Sequence, residues 1–159
     1  MIYVSKIYKF LSIIVYPLLI IFLLLRVLKK KESSKRFQEK LGYYKVKRPN
    51  GKLFWVALAS VGELNSAIKL IKLLAEHGNV IVTSVTLTSS VEFAKKDFST
   101  CKFEVFHQFS PLDSLICVNR FLRNFKPDTA VFVESEIWLN MIEETSKICK
   151  TYLVNAKIS

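Results

Sequence analysis

Leu53-Phe54-Trp55-Val56-Ala57-Leu58, followed by Ala59-Ser60-Val61-Gly62-Glu63-Leu64, is the stretch on which the fold turns. An unbroken apolar run of this length, with aromatic and β-branched members, reads as a strand buried on both faces. Ser60-x-x-Glu63 then has the form of a capping box, in which Ser60 accepts from the third helical amide and Glu63 reaches back. A helical stripe of Leu64, Ile68, Ile71, Leu74 and Ala75 follows, and His77 before Gly78 marks its last turn. The unit is therefore strand, short loop, helix.

Outward from it the same alternation continues. Strand-like runs recur at Asn79 to Val85, Lys102 to Phe106, Thr129 to Glu134 and Thr151 to Val154. Between them, Leu115, Ile116, Val118, Phe121, Leu122 and Phe125 form one helical stripe, and Ile137, Met141, Ile142 and Ile148 another. Ser89-x-x-Glu92 repeats the capping pattern within a further crossover. Five strands joined by four helical crossovers predict an α/β fold, a mainly parallel three-layer sheet of Rossmann type. Sites in such sheets lie at the strand C-terminal ends, so the loops after Leu58, Val85, Phe106, Glu134 and Val154 are the ones to inspect. No G-x-G-x-x-G follows the first strand, which leaves a dinucleotide cofactor or an unrelated nucleotide binder little support.

Before the sheet, Ile7 to Leu28 is almost wholly apolar and long enough as a helix to cross a bilayer core. It ends in Arg26 and Lys29-Lys30-Lys31 without a small-residue cleavage pattern, which favours an uncleaved membrane anchor over a signal peptide. Pro17 can kink it, and Lys6 and Lys9 charge its other end, so a spanning and an in-plane placement both stay open. Residues 1–30 are thus expected to be the anchor and its basic flank, 31–52 a basic linker with a short helix over Ser33 to Leu41 ended by Gly42, and 53–159 the sheet domain. Arg48-Pro49-Asn50-Gly51 reads as the turn into the first strand.

The chain's formal charge is +11, yet the excess is regional. Eleven Lys or Arg fall between Arg26 and Lys52 against Glu32 and Glu39 alone. Directly after an apolar run, and without a nucleic-acid motif, that charge points to the cytoplasmic face of an inner membrane and its anionic lipids rather than to nucleic acid. Topology signal and direct lipid binding are equally compatible with it. Cys101, Cys117 and Cys149 lack pair spacing, as reduced thiols do, and His77 and His107 are too few for a histidine metal cluster.

Trp55-Val56-Ala57-Leu58-Ala59-Ser60-Val61-Gly62-Glu63 resembles the W-x-H-A-x-S-V-G-E signature of the Kdo (3-deoxy-D-manno-octulosonic acid) transferases of lipopolysaccharide synthesis, departing from it at Ala57 and Leu58. Val133-Glu134-Ser135-Glu136-Ile137-Trp138-Leu139-Asn140 is similar to the family's (V/M)-E-(S/T)-E-(I/L)-W-P-N, with Leu139 for Pro. Arg36 to Gly42 (RFQEKLG), Val82 to Ser89, His107 to Asp113 (HQFSPLD), Arg120 to Pro127 and Val154 to Ser159 (VNAKIS) add to the resemblance in order.

The resemblance implies the N-terminal, acceptor-side half of a two-domain GT-B glycosyltransferase. Such enzymes invert the anomeric centre and need no metal or cofactor. Their donor substrate is CMP-Kdo, held by the C-terminal domain, and their acceptor is the lipid A precursor lipid IVA. No counterpart of the donor domain is expected here, so the chain alone should not transfer sugar; a separate C-terminal domain chain is one partner this allows. Inversion requires a base for the attacking hydroxyl. The resemblance gives that role to Glu63, with Ser60 and Gly62 beside the acceptor and Glu134, Ser135 and Glu136 binding acceptor hydroxyls or supporting the base.

Each of these residues also has a plain structural reading. Ser60 and Glu63 can be no more than a cap, Ser135 another cap, the acidic residues first-turn helix chemistry, Trp138 core, and His107 a turn residue before Pro111. Ala57 takes a donor and acceptor out of the loop, and Leu58 is expected to bring bulk beside the cleft. A rival function is a non-catalytic, membrane-tethered module that binds anionic lipid or a partner protein through its basic collar.

Overall fold

The structure is a computed structural model that describes residues 2–133 and 138–154. Five strands form one sheet, β1 (Leu53–Leu58), β2 (Asn79–Ser84), β3 (Val105–Phe109), β4 (Thr129–Val133) and β5 (Lys150–Val154), in the order β3-β2-β1-β4-β5. Every neighbouring pair is parallel. Ahead of the sheet come α1 (Ile2–Ile14), α2 (Tyr16–Leu28) and α3 (Phe37–Lys40); the crossovers are α4 (Val61–Leu74), α5 (Leu87–Ala94), α6 (Leu115–Phe125) and α7 (Leu139–Ser146).

The chain leaves β1 in one direction to build β2 and β3, then returns past β1 to build β4 and β5. The order therefore reverses between β1 and β4, where Phe54 lies opposite Thr129 and Ala57 opposite Phe132. A crevice opens at such a reversal, outside the carboxyl ends of the two strands. Alternation along β1 divides the core. Leu53, Trp55 and Ala57 pack with Val118, Phe121 and Phe125 of α6 and Met141 of α7. Phe54, Val56 and Leu58 pack with Leu64, Ala67 and Ile71 of α4. The indole N–H of Trp55 is satisfied inside this core by Thr83 Oγ1 at 2.8 Å.

Three expectations change. The expected third strand, Lys102 to Phe106, lies instead at Val105–Phe109: the polar His107 and Gln108 that read as loop pair with Val82 and Thr83 of β2, and the His107 ring finds partners there. His107 Nδ1 faces Arg36 Nη2 at 3.2 Å and its Nε2 meets Ser84 Oγ at 2.8 Å, so His107 is a strand residue rather than a turn. The cap of α5 is Thr86, whose oxygen accepts from the Ser89 amide; Ser89 is not the cap, and Glu92 instead pairs with Lys95 and Lys96.

The third change concerns the N-terminal apolar run, which is two helices rather than one. No single helix among the described residues is long and apolar enough to cross a membrane, whereas Lys6–Ile14 and Tyr16–Leu28 meet the length and composition together but are bent by 55°. Pro17 sits in the first turn of α2, where its missing amide hydrogen costs nothing.

Tyr8, Lys9 and Ser12 of α1 are spent on the sheet domain. Lys9 bonds Glu143 and Glu144, each at 2.8 Å, and Ser12 Oγ accepts from the Leu115 amide at the start of α6. From α2, Leu23 packs with Leu41 and Cys117. Cys101, Cys117 and Cys149 are all free thiols.

Within residues 31–52 the expected short helix is α3, and several residues of this segment pack on the sheet domain. Arg36 forms a fork with Glu39 (Nε to Oε1 2.7 Å, Nη2 to Oε2 2.9 Å), and Glu39 accepts the Phe109 amide at 2.8 Å. Tyr44 packs edge-on against Phe121 and Phe125. Gly42, at φ +84°, ends α3; a Cβ there would lie 2.6 Å from Arg120 Cβ.

Candidate functional site

The β1–α4 loop carries the first group of candidate residues. Ser60, extended and exposed, caps α4 by accepting the Glu63 amide at 3.2 Å. Glu63 is 6% exposed, and its Oε2 accepts the Ala59 amide at 2.6 Å, one residue short of the cap amide a capping box would use. The cap is real, and it fixes the carboxylate at the positive end of a helix, on the crevice side of the sheet. Gly62 is exposed, and a Cβ built on it meets nothing closer than Ser60 Oγ at 3.8 Å. Packing therefore does not demand glycine there, and the loop's backbone is open to close approach.

Ala57 and Leu58 are both core. Strand alternation directs Leu58, 2% exposed, into the α4 layer, so the bulk expected beside the cleft is absorbed inside the fold. Ala57 lies in the opposite layer beneath the loop.

The chain after β2 is tied to this loop and to the segment before the sheet. Ser89 Oγ donates to the Ala59 carbonyl at 3.2 Å, joining the start of α5 to it. Beyond β2, the Val85 carbonyl accepts from Lys40 Nζ at 2.7 Å, and Lys40 also pairs with Glu32 at 2.6 Å; both are buried. Burial lowers the Lys40 ammonium pKa, with the Glu32 carboxylate opposing that shift and Arg26 reinforcing it.

After β3, the chain through Ser110 and Pro111 brings Asp113 to the N-terminus of α7. There its Oδ1 accepts the Met141 amide at 2.8 Å and its Oδ2 the Asn140 amide at 3.3 Å. The same Oδ2 accepts the Tyr8 hydroxyl at 2.8 Å. Burial raises the Asp113 pKa against the pull of these hydrogen bonds. Asp113 thus caps a helix from another element and ties α1 to it.

A small cavity of about 70 Å³ lies among these groups, lined by Lys40, Val85, Ser110, Leu112, Asp113 and Trp138, among others. Trp138 is 41% exposed at the start of α7, and so is not the core residue a helix-start tryptophan suggests. Glu134, Ser135, Glu136 and Ile137 lie outside the described residues, as do residues 155–159; β4 delivers the chain to the crevice at Val133.

Glu63, Ser60 and Gly62 are therefore brought together at the topological reversal. Lys40, Asp113 and Tyr8 are the members that sequence reasoning missed. The signal for Lys40 and Asp113 lay in RFQEKLG and HQFSPLD, two stretches too polar to fit either a strand or a stripe pattern, whereas Tyr8 is one of the few polar interruptions of the N-terminal apolar run.

Taken together, the parallel sheet and its reversal point define a Rossmann-like α/β domain, with a buried loop carboxylate at a helix start as the candidate at the strand ends. Residues 35–159 match the family model for 3-Deoxy-D-manno-octulosonic-acid transferase (kdotransferase). The 3-deoxy-D-manno-octulosonic acid transferase of Rickettsia bellii is 35% identical over 157 residues, spanning 97% of this chain and 37% of that protein. The proteins of the same name from Rickettsia prowazekii (40% over 110 residues; 67% of this chain, 23% of that one) and Haemophilus influenzae (30% over 141 residues; 86% and 32%) are also similar. The chain belongs to the Kdo transferase family of glycosyltransferases, and it spans well under half the length of these relatives.

Proposed function

We propose that the chain is the acceptor side of a Kdo transferase, acting on a lipid A precursor such as lipid IVA with CMP-Kdo as donor. The observation that carries this reading is the placement of Glu63: buried, oriented by the Ala59 amide, and set beside an open Gly62 at the crevice. An acceptor hydroxyl there would attack the anomeric carbon of Kdo as the bond from that carbon to the CMP phosphate breaks. Glu63 takes the hydroxyl proton, and attack opposite the leaving group inverts the centre. Stabilisation of the departing CMP falls to a C-terminal domain, supplied by a partner or by further polypeptide. No metal enters this scheme.

We further propose attachment to the cytoplasmic face of the inner membrane, in the plane rather than across it. Lys9 and Ser12 hold α1 against α6 and α7, whereas Phe10, Leu18 and Leu28 of the bent pair are 65%, 64% and 78% exposed. A helix pair with one face docked and an apolar face outward suits the headgroup boundary. Lys29, Lys30, Lys31 and Lys35 are exposed at its end, without ion-pair partners among the described residues, and suit anionic headgroups. The Tyr8–Asp113 bond would set that boundary beside the cavity, where a lipid acceptor arrives.

The test is Kdo transfer to lipid IVA, read by mass spectrometry, in membranes holding the chain with and without a separately expressed family C-terminal domain. Transfer in the complemented sample alone is expected. No transfer there, with folded chain and an active control enzyme, would favour the non-catalytic lipid-binding module.

A further inference from the structure

A polar hollow lies at the β3 edge of the sheet, separated by β2 from β1 and the loop that carries Glu63. Its volume is about 350 Å³, and it sits between α3 and residues 43–46, with His107 and Gln108 of β3 in its wall.

Much of that wall is already committed. Arg36 forks onto Glu39 and donates to the His107 carbonyl at 3.0 Å. Glu39 also accepts the Phe109 amide, so the two charges cancel and their polar atoms are used within the fold. The His107 ring is held between Arg36 and Ser84.

Three groups are uncommitted. Gln108 is 5% exposed and lines the hollow, yet its carboxamide makes no hydrogen bond among the described residues. A polar side chain withdrawn from bulk water without a protein partner destabilises the fold unless something entering the space satisfies it. Lys35 and Lys45 line the same space, exposed and without ion-pair partners among the described residues. They leave the hollow two uncompensated positive charges. Tyr43 completes the wall, and the Arg120 guanidinium braces its ring at 4.3 Å from the centroid.

We infer that this hollow binds the headgroup of an anionic glycerophospholipid, with the phosphate on Lys35 and Lys45 and the headgroup hydroxyls on the carboxamides of Gln108 and Gln38. A carboxamide offers both a donor and an acceptor, as a hydroxyl does, and an ammonium meets phosphate as a point charge. The volume is near the lower end of the roughly 300–1,000 Å³ of small-molecule sites, which suits a headgroup without its acyl chains. A free phosphate ester bearing hydroxyls has the same chemistry. The membrane is favoured as the source because Lys35 belongs both to the hollow and to the basic cluster that follows the exposed apolar helices. The inference rests on the membrane attachment proposed above and adds headgroup selectivity to it.

The experiment is flotation of the full chain with phosphatidylcholine vesicles containing equal fractions of either phosphatidylglycerol or phosphatidylethanol, lipids of equal charge with and without headgroup hydroxyls. Binding about fivefold tighter to phosphatidylglycerol is expected, the worth of one or two net hydrogen bonds. Gln108→Leu should abolish that preference while leaving phosphatidylethanol binding and the urea midpoint as in the wild type. Gln38→Ala, at an exposed position, should cut the preference about twofold and serves as the test if Gln108→Leu does not fold. Equal binding of the two lipids by the wild type, or a preference that survives these substitutions, would overturn the inference. Saturable binding of free glycerol 1-phosphate without any preference between vesicles would assign the hollow to a soluble phosphate ester and overturn the lipid assignment. Failure to bind either anionic vesicle would defeat the attachment reading too, whereas binding without selectivity defeats this inference alone.

Discussion

Asp113 accepts two amide hydrogens from α7 and the hydroxyl of Tyr8, so one side chain secures both the crossover before β5 and the docking of α1. Asp113→Ala should lower stability by about 2 kcal/mol, the sum expected from a lost cap and a lost charge-assisted bond, measured by urea unfolding. It should also open α1 to limited proteolysis, whereas a purely local cap would leave α1 protected. His107 makes a prediction in pH. Arg36 can only donate, so His107 Nδ1 accepts and its Nε2–H donates to Ser84, leaving the imidazole neutral. Burial, reinforced by the Arg36 charge, pushes its pKa from 6.5 down to about 3. The unfolded chain then binds a proton that the folded chain refuses between those values. Stability is full above pH 6.5 and falls as pH drops toward 3, by up to about 1.4 kcal/mol per pH unit. Urea midpoints between pH 7 and 4.5 should show that slope in the wild type and a shallower one in His107→Asn.

At the scale of elements, α3 is a four-residue helix that would not persist alone, yet Arg36, Glu39, Lys40 and Gly42 pin it to the sheet. Gly42→Ala combines a left-handed backbone with a Cβ contact of 2.6 Å to Arg120, and should cost about 2 kcal/mol or more in thermal or urea unfolding. A cost near zero would mean that α3 repacks freely. The same element shows what could be read in the sequence. Strands β1, β2 and β4 and the stripes of α4 and α6 were legible because apolar period and burial coincide there, and β5 was legible from its apolar run alone. β3 was displaced because His107 is a polar residue whose partners, Ser84 and Arg36, lie far away in sequence, and Gln108 is a polar residue that is buried. In residues 31–52 the short helix was legible, but the pairing of Arg36 with Glu39 and of Lys40 with Glu32 was not, because spacing alone does not separate a buried pair from surface charge. At the site, the Ser60 cap was legible from spacing, while Leu58's inward direction needed the strand's alternation to be placed against α4.

For the molecule as a whole, the distribution of exposed groups sets an apolar flank on α1 and α2 beside a cluster of lysines, Lys29, Lys30, Lys31 and Lys35, without ion-pair partners among the described residues. Replacing Lys29, Lys30 and Lys31 by Gln should weaken binding to vesicles containing anionic lipid by about 100-fold, at roughly 1 kcal/mol per charge. The loss should shrink as salt is raised and vanish on neutral vesicles. Equal binding by wild type and variant would mean that the apolar flank acts alone. Whether Glu63 does chemistry beyond its cap is read directly by single-turnover Kdo transfer by the complemented chain carrying Glu63→Gln. The account predicts a rate lower by roughly 10²-fold or more, with unfolding midpoint and vesicle binding close to wild type, because Gln keeps an oxygen for the Ala59 amide but cannot take the proton. Transfer at the wild-type rate by that variant would contradict it and leave Glu63 as a helix cap.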